Sequence, residues 1–285
     1  MDEHDAFPAS IRETPPLSRR GFGALSLGVG AAAAGSALAG DIQESDVTVT
    51  TPDGTCDAAL FHRPGAGPWP GVIVFTDILG LRPVFRDMGR RLAGDGYAVL
   101  IPNPFYRTRK APVIEGPFDF ATDRAKLAPL TAPLNTQTRT TDITAYVAWM
   151  KGQRAVNQRK PLGVVGYCMG GPYTMLAAAL APDRVRAACS FHGANLVTDQ
   201  PDSPHLLVPK MKAQYYFGIA QNDDAKQPDA KTKLAQAFTD AHLTAGIEVY
   251  PANHGWCVKD GPAYDAASAE RAWAHMTSLY ARVLG

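Results

Sequence analysis

The sequence predicts an α/β fold: a three-layer sandwich with a mostly parallel central sheet and helices on both faces. Two patterns carry this reading. Short continuous apolar runs such as "GVIVF" (71–75) and "LGVVGY" (162–167) have the character of strands buried on both sides. They alternate with longer stretches of helical period, and strand–helix alternation builds parallel sheets. A hydrophobic content of 46% against 19% charged residues, over 285 residues, is enough for a sizeable core.

The first 39 residues stand apart from this pattern. "GFGALSLGVGAAAAGSALA" (21–39) carries no charge and follows Arg19-Arg20, and Ala37-Leu38-Ala39 has the small-x-small form of a cleavage site. Ser18-Arg19-Arg20-Gly21-Phe22 resembles a twin-arginine export signal. The run is short and weakly hydrophobic for a membrane span, which takes ~20 apolar residues, so an uncleaved anchor is the lesser expectation. A mature chain beginning near Gly40, periplasmic or secreted and without stable membrane insertion, is expected, with 40–285 as a single domain.

After the signal, "VTVTTPDGTCDAALFHRP" alternates in polarity around a Pro-Asp-Gly turn and predicts a hairpin. "GVIVFTD" is the first fully buried strand, "PVFRDMGRRLAGDGY" a helix with a glycine stop, and "AVLIPNPF" the next strand. Prolines and weak periodicity between Tyr106 and Thr136 predict a loop with short helical pieces. "TTDITAYVAWMKGQ" is amphipathic and helical. There follow the strand "LGVVGYC", the helix "GGPYTMLAAALA", the strands "RAACSFHGA" and "AQYYFGIA", a helix over Lys231–Leu243, the strand "GIEVYPAN" and a last helix near Ala263–Leu284. There are no internal repeats.

Bulk chemistry excludes several functions. Lys+Arg is 28 and Asp+Glu 27, giving a net charge of +1, and no basic run carries interleaved aromatics, so nucleic acid is not an expected partner. Neither C-x-x-C nor H-E-x-x-H occurs, so no metal site is expected. The four cysteines, Cys56, Cys168, Cys189 and Cys257, are too few for a disulfide scaffold. If Cys168 is catalytic, at most one bridge joins the others.

Three reactive groups end predicted strands, where open parallel sheets carry their sites. Cys168 ends "LGVVGYC", Asp223 and Asp224 follow "AQYYFGIA", and His254 follows "GIEVYPAN". Nucleophile, acid and histidine in that order is the chain order of α/β-hydrolases. Gly166 and Gly170 bracket Cys168 as G-x-C-x-G, a sharp strand-to-helix turn with no room for a Cβ on either side. The turn places Cys168 at a helix N-terminus, where the dipole favours a thiolate. His254 is the base, oriented by an acid. His192, ending "SFHGA", reads as a satisfied structural histidine, and Cys257 as packing beneath the histidine loop.

"VVGYCMGG", "YYFGIAQNDDAKQP" and "VYPANHGWC", together with "VIVFTDILGLRPVFRDMGRRLAGDGYAVLIPNPFYR" upstream, resemble the dienelactone hydrolase family over nearly all of 45–284. The resemblance implies a single-domain α/β-hydrolase, free of cofactors, that cleaves small esters and cyclic enol-lactones. It assigns Cys168 as nucleophile, His254 as base and Asp223 as acid through Gly-x-Ala-x-x-Asp at 218–223, with Asp224 the competitor. The backbone N–H groups of Ile78 and Met169 form the oxyanion hole. Where the family has a glutamate paired with the cysteine, this chain has Asp77, one methylene shorter, expected to hold the thiol or relay its proton. The family's carboxylate-binding arginine four residues after the histidine is replaced by Val258, with Lys259 beside it, while its second arginine matches Arg107, with Arg109 nearby. Arg107, Tyr106 and Trp256 are the expected substrate-binding residues; Trp256 is also expected to pack the histidine loop.

The expected function is therefore a hydrolase acting on a small ester or lactone through a thioester acyl-enzyme. Two others compete: a binding protein that keeps the fold without the chemistry, and a thiol redox protein that brings Cys189 or Cys257 up to Cys168.

Overall fold

Apolar alternation fixes which face of the sheet each residue serves. The structure, a computed structural model, describes residues 42–65 and 67–285; the export segment expected at 1–39 lies outside them. Eight strands form one sheet: β1 (Gln43–Thr51), β2 (Gly54–His62), β3 (Gly71–Phe75), β4 (Ala98–Pro102), β5 (Leu162–Tyr167), β6 (Val185–Phe191), β7 (Gln214–Ala220) and β8 (Ala245–Tyr250). Their order is β1-β2-β4-β3-β5-β6-β7-β8. The expected hairpin β1–β2 is antiparallel and joins β4 antiparallel; every pairing from β4 to β8 is parallel.

Helices close both faces: α1 (Pro83–Gly94), α2 (Ala128–Thr131), α3 (Thr136–Lys151), α4 (Gly171–Leu180), α5 (Gln221–Lys226), α6 (Ala230–Asp240) and α7 (Ala266–Leu284). Successive strand residues point to opposite faces. In β3, Ile73 and Phe75 belong to the core layer that holds Tyr146 and Met150 of α3, Tyr173 of α4 and Phe238 of α6. Val72 and Val74 belong to the opposite layer, with Phe85 of α1 and Met276 and Tyr280 of α7. The two-sided burial read from "GVIVF" follows from this.

The helices α6 and α7 keep to within three residues of the expected bounds; two larger differences bear on the site. α3 begins at Thr136 rather than 140, because Asn135 and Thr138 form a reciprocal capping box: Thr138 N–H donates to the Asn135 side chain at 3.0 Å, and Asn135 N–H to Thr138 Oγ1 at 2.9 Å. Beyond β7 the chain enters the short helix α5, which the sequence reading did not include, so Asp223 and Asp224 lie in its first turn. Among the described residues no helix is long and apolar enough to cross a membrane.

Candidate active site

Cys168 follows β5 directly and opens a 3₁₀ turn, Cys168–Gly170, that leads into α4. Its φ is 51°, a left-handed conformation rare for a side chain of this kind. The two glycines make the turn possible. A Cβ at Gly166 would lie 2.0 Å from the Gly170 carbonyl oxygen, and one at Gly170 would lie 2.3 Å from that of Phe75. The turn therefore presses against β3 with backbone alone and lifts Cys168 above the sheet edge.

His254 lies beyond β8, and its N–H donates to Asn222 Oδ1 at 2.8 Å. Its Nδ1 lies 2.5 Å from Asp223 Oδ2. A carboxylate only accepts, so Nδ1 carries the hydrogen and Nε2 is left for the Cys168 thiol. Burial works against the imidazolium, but the hydrogen bonds and charges of Asp223 and Cys168 outweigh it and raise the His254 pKa to about 10. Asp224 is turned away and pairs with Lys231 Nζ at 2.6 Å. Asp223, not Asp224, is thus the carboxylate at the histidine.

His192 stands edge-on behind His254, with ring centroids 5.1 Å apart, and against Trp256 at 5.0 Å. It is fully buried and its backbone sits at φ 40°. Burial, and then the neighbouring His254, hold its pKa well below the usual histidine range, so it is neutral. The sequence reading of a structural histidine fits this packing, but "satisfied" does not: neither ring nitrogen has a hydrogen-bond partner.

Ile78 and Met169 flank Cys168 on the wall of a cavity of about 410 Å³, which Arg139, Tyr173, Leu176 and Leu207 help to line. Met169 lies in the first turn of the 3₁₀ segment, where backbone N–H groups have no partner within the helix. A second cavity of about 260 Å³ lies on the Asp223–His254 side of Ala194 and Asn195.

Asp77 does not hold the thiol. Its carboxylate takes Arg82 Nη1 at 2.7 Å and Nη2 at 2.9 Å, and accepts the Leu79 N–H at 2.9 Å. Arg82 is clamped from its other side by Asp260, at 2.8 and 2.9 Å. Both carboxylate oxygens are taken by the guanidinium, and the group holds the loop carrying Ile78 through the Leu79 N–H.

The three expected substrate-binding residues also lie elsewhere. Arg107 is neutralised by Asp53 at 2.6 Å and Asp142 at 2.7 Å, and stacks on Tyr106 at 4.6 Å. The Tyr106 hydroxyl is held by Thr51 and Asp142. Trp256 is fully buried and stacks on Tyr250 at 4.8 Å, so it packs the histidine loop and lines neither cavity. All four cysteines are free thiols; Cys56, Cys189 and Cys257 are buried, and burial pushes the Cys56 pKa up to about 12. Arg82, Arg139 and Asn222 were not singled out from sequence; Asn222, adjoining Asp223, is the one of these that position in the motif pointed to.

A strained cysteine turn after the central strand, with a carboxylate–histidine pair beyond the later strands, on this sheet order, defines an α/β-hydrolase. The profile of the dienelactone hydrolase family matches residues 56–284. A Salmonella typhi protein named "Putative carboxymethylenebutenolidase" is 31% identical over 259 residues, covering 83% of this chain and 92% of that protein. A Methylorubrum extorquens protein of the same name is 28% identical and covers 98% of each chain. A Klebsiella pneumoniae crystal structure, described as a "Putative Dienelactone Hydrolase", superposes with a TM-score of 0.74 at 24% identity, over 85% of this chain and 99% of that one, a likeness of fold. The chain belongs to the dienelactone hydrolase family, and is a hydrolase of small molecules.

Proposed function

We propose that this hydrolase cleaves small esters or lactones with Cys168 as nucleophile, His254 as proton carrier and Asp223 as the carboxylate that orients it. The single observation carrying the reading is His254, bound to Asp223 at 2.5 Å through Nδ1 with Nε2 left for the thiol of a strained turn. The Cys168 sulfur attacks the substrate carbonyl carbon and an S–C bond forms. The carbonyl oxygen becomes an oxyanion facing the N–H groups of Ile78 and Met169. On collapse the C–O bond to the leaving group breaks, and His254 supplies the proton that the alkoxide or enolate takes.

The raised His254 pKa fits this division of labour. With the thiolate beside it, the imidazole holds its proton, ready for the leaving group. In the acyl-enzyme the sulfur is a neutral thioester, so the part of the shift that Cys168 supplies is lost. His254 then more readily gives up its proton and acts as base toward the water that hydrolyses the thioester. The name carried by the relatives is that of a lactonase, which supports a lactone among the substrates.

The test is a panel of small esters and lactones with wild type, Cys168→Ala and Cys168→Ser. Cys168→Ala should lose turnover and the acyl-enzyme seen as a mass increase. Cys168→Ser should be at least ~100-fold slower, a barrier increase of ~2.7 kcal/mol, because a serine stays protonated until attack. Wild-type turnover by Cys168→Ala would refute the reading.

A further inference from the structure

Arg82 spends every one of its N–H donors inside the protein, and on two different loops. Nη1 donates to Asp77 Oδ1 at 2.7 Å and to the Gly80 carbonyl at 3.2 Å. Nη2 donates to Asp77 Oδ2 and to Asp260 Oδ1, each at 2.9 Å, and Nε donates to Asp260 Oδ2 at 2.8 Å. A guanidinium carries five donors in a rigid fork, so none is left over. The side chain is 9% exposed, and the residue itself is the N-cap of α1, which fixes its backbone.

Each side of the fork grips a piece of the site. Asp77 and Gly80 are the two ends of a tight turn, closed by the Gly80 N–H donating to the Asp77 carbonyl at 3.1 Å. Ile78 is the first of the two residues between them, and it lines the Cys168 cavity. The Leu79 N–H is turned back onto the Asp77 carboxylate, whereas the Ile78 N–H meets no acceptor among the described residues. On the other side, Asp260 follows His254 by six residues on the loop from β8 to α7. That loop is folded on itself: the N–H groups of Trp256, Val258 and Gly261 return to the carbonyls of Asn253, Gly255 and Val258. One buried cation therefore spans the turn that presents Ile78 and the loop that carries His254. An oxyanion donor works only within a narrow range of distance, about 2.7–3.1 Å from the developing charge, so a small slip of the turn matters.

Resting on the acyl-transfer reading above, we infer that Arg82 is a positioning residue for the reaction: through Asp77 and Asp260 it fixes the Ile78 N–H relative to His254. It touches no reacting atom. Its effect falls on the step in which the carbonyl oxygen becomes an anion.

The experiment compares two reactions of the same sulfur. Iodoacetamide alkylates Cys168 at a saturated carbon: the S–C bond forms, iodide leaves, and no oxyanion arises. 4-Nitrophenyl acetate acylates it through a tetrahedral oxyanion and expels 4-nitrophenolate, which needs no proton. The readout is the ratio of the acylation rate to the alkylation rate. Arg82→Gln should lower that ratio by about 10- to 100-fold, somewhat less than the loss of a whole oxyanion donor, with the fall in kcat rather than KM. Arg82→Lys keeps the charge between the two carboxylates but not the fork, and its ratio should fall between. If Arg82→Gln does not fold, Arg82→Lys decides in the same terms. A merely structural arginine would lower both rates together with the folded fraction; an unchanged ratio overturns the assignment. A parallel measurement needs no hydrolysis: propionaldehyde adds to the Cys168 sulfur, its carbonyl oxygen passing through the oxyanion to a hemithioacetal, and so protects the thiol from iodoacetamide. If wild type is not acylated by the ester, the hydrolase reading fails and the aldehyde decides. Protection that needs about 10- to 100-fold more aldehyde in the variant sustains the positioning role; equal protection of both proteins, or of neither, overturns it.

Discussion

Asp77→Asn separates what the sequence suggested for this carboxylate from what its geometry implies. The carboxylate accepts two guanidinium donors and the Leu79 N–H. An amide keeps one acceptor oxygen for Leu79 and Arg82 Nη1, but turns its NH₂ toward Nη2. One charge-assisted hydrogen bond is lost, worth about 1.5–3 kcal/mol. The donors then face each other where the Arg82 side chain is only 9% exposed. Asp260 still holds the guanidinium, so the ~3–5 kcal/mol penalty for a buried charge left wholly alone does not apply. A loss of ~2–3 kcal/mol follows, and at ~2–4 °C per kcal/mol for a domain of this size the melting point should fall by ~5–10 °C. Melting curves are recorded beside iodoacetamide labelling of Cys168 across pH. The labelling profile should superimpose on that of wild type, because the carboxylate faces Arg82 and not the sulfur. Stability within ~0.5 kcal/mol of wild type, combined with a displaced labelling profile, would refute the reasoning and return Asp77 to the thiol.

Two further outcomes are expected. The His254 pKa is raised to about 10 by Asp223 and Cys168 against burial, so its acid form survives until pH rises through that value. Acylation by alkyl esters, whose leaving group needs the proton, should then fall above about pH 10; Asp223→Asn should move the fall to lower pH and Asp224→Asn should not, and pre-steady-state alcohol release checks both. Arg107→Ala leaves the Asp142 carboxylate, 3% exposed, without its cation, and should cost about 3–5 kcal/mol in a denaturant melt. The same variant should lose equal fractions of activity on neutral and anionic esters; a larger loss on the anionic one would put Arg107 back in the pocket.

The parallel sheet and the three reactive positions were legible because their signals are local. A strand buried on both faces must be apolar throughout, as "LGVVGY" is, and a turn that packs backbone against backbone must be glycine at 166 and 170. What each charged group pairs with was not legible. Asp77 meets Arg82 five residues away, but that arginine's other partner, Asp260, is 178 residues beyond it. Arg107 is claimed by Asp53 on the hairpin turn and Asp142 on α3, two elements with no sequence relation. The family resemblance gave Asp77 a role at the thiol and Arg107 one at the substrate; only three-dimensional pairing shows their charges already spent. Arg139 was not singled out, because the helix as read from sequence begins at Thr140, one residue beyond it. The early start of α3 is a different kind of miss: Asn135 and Thr138 form a capping box without the glutamate that usually marks one.

The backbone contacts at the cysteine turn bear on how this family can drift. A methyl group at position 166 or 170 would overlap a main-chain oxygen whether or not any reaction takes place there. The glycines therefore answer to architecture, while position 168, central among the three residues between them, is held by no such contact and, on the proposed mechanism, answers to chemistry. Descendants that abandon the reaction are free to exchange the central side chain yet remain bound to the glycines at 166 and 170. Retained glycines therefore say nothing about surviving activity, and the residue at 168 is where a silent descendant would first depart.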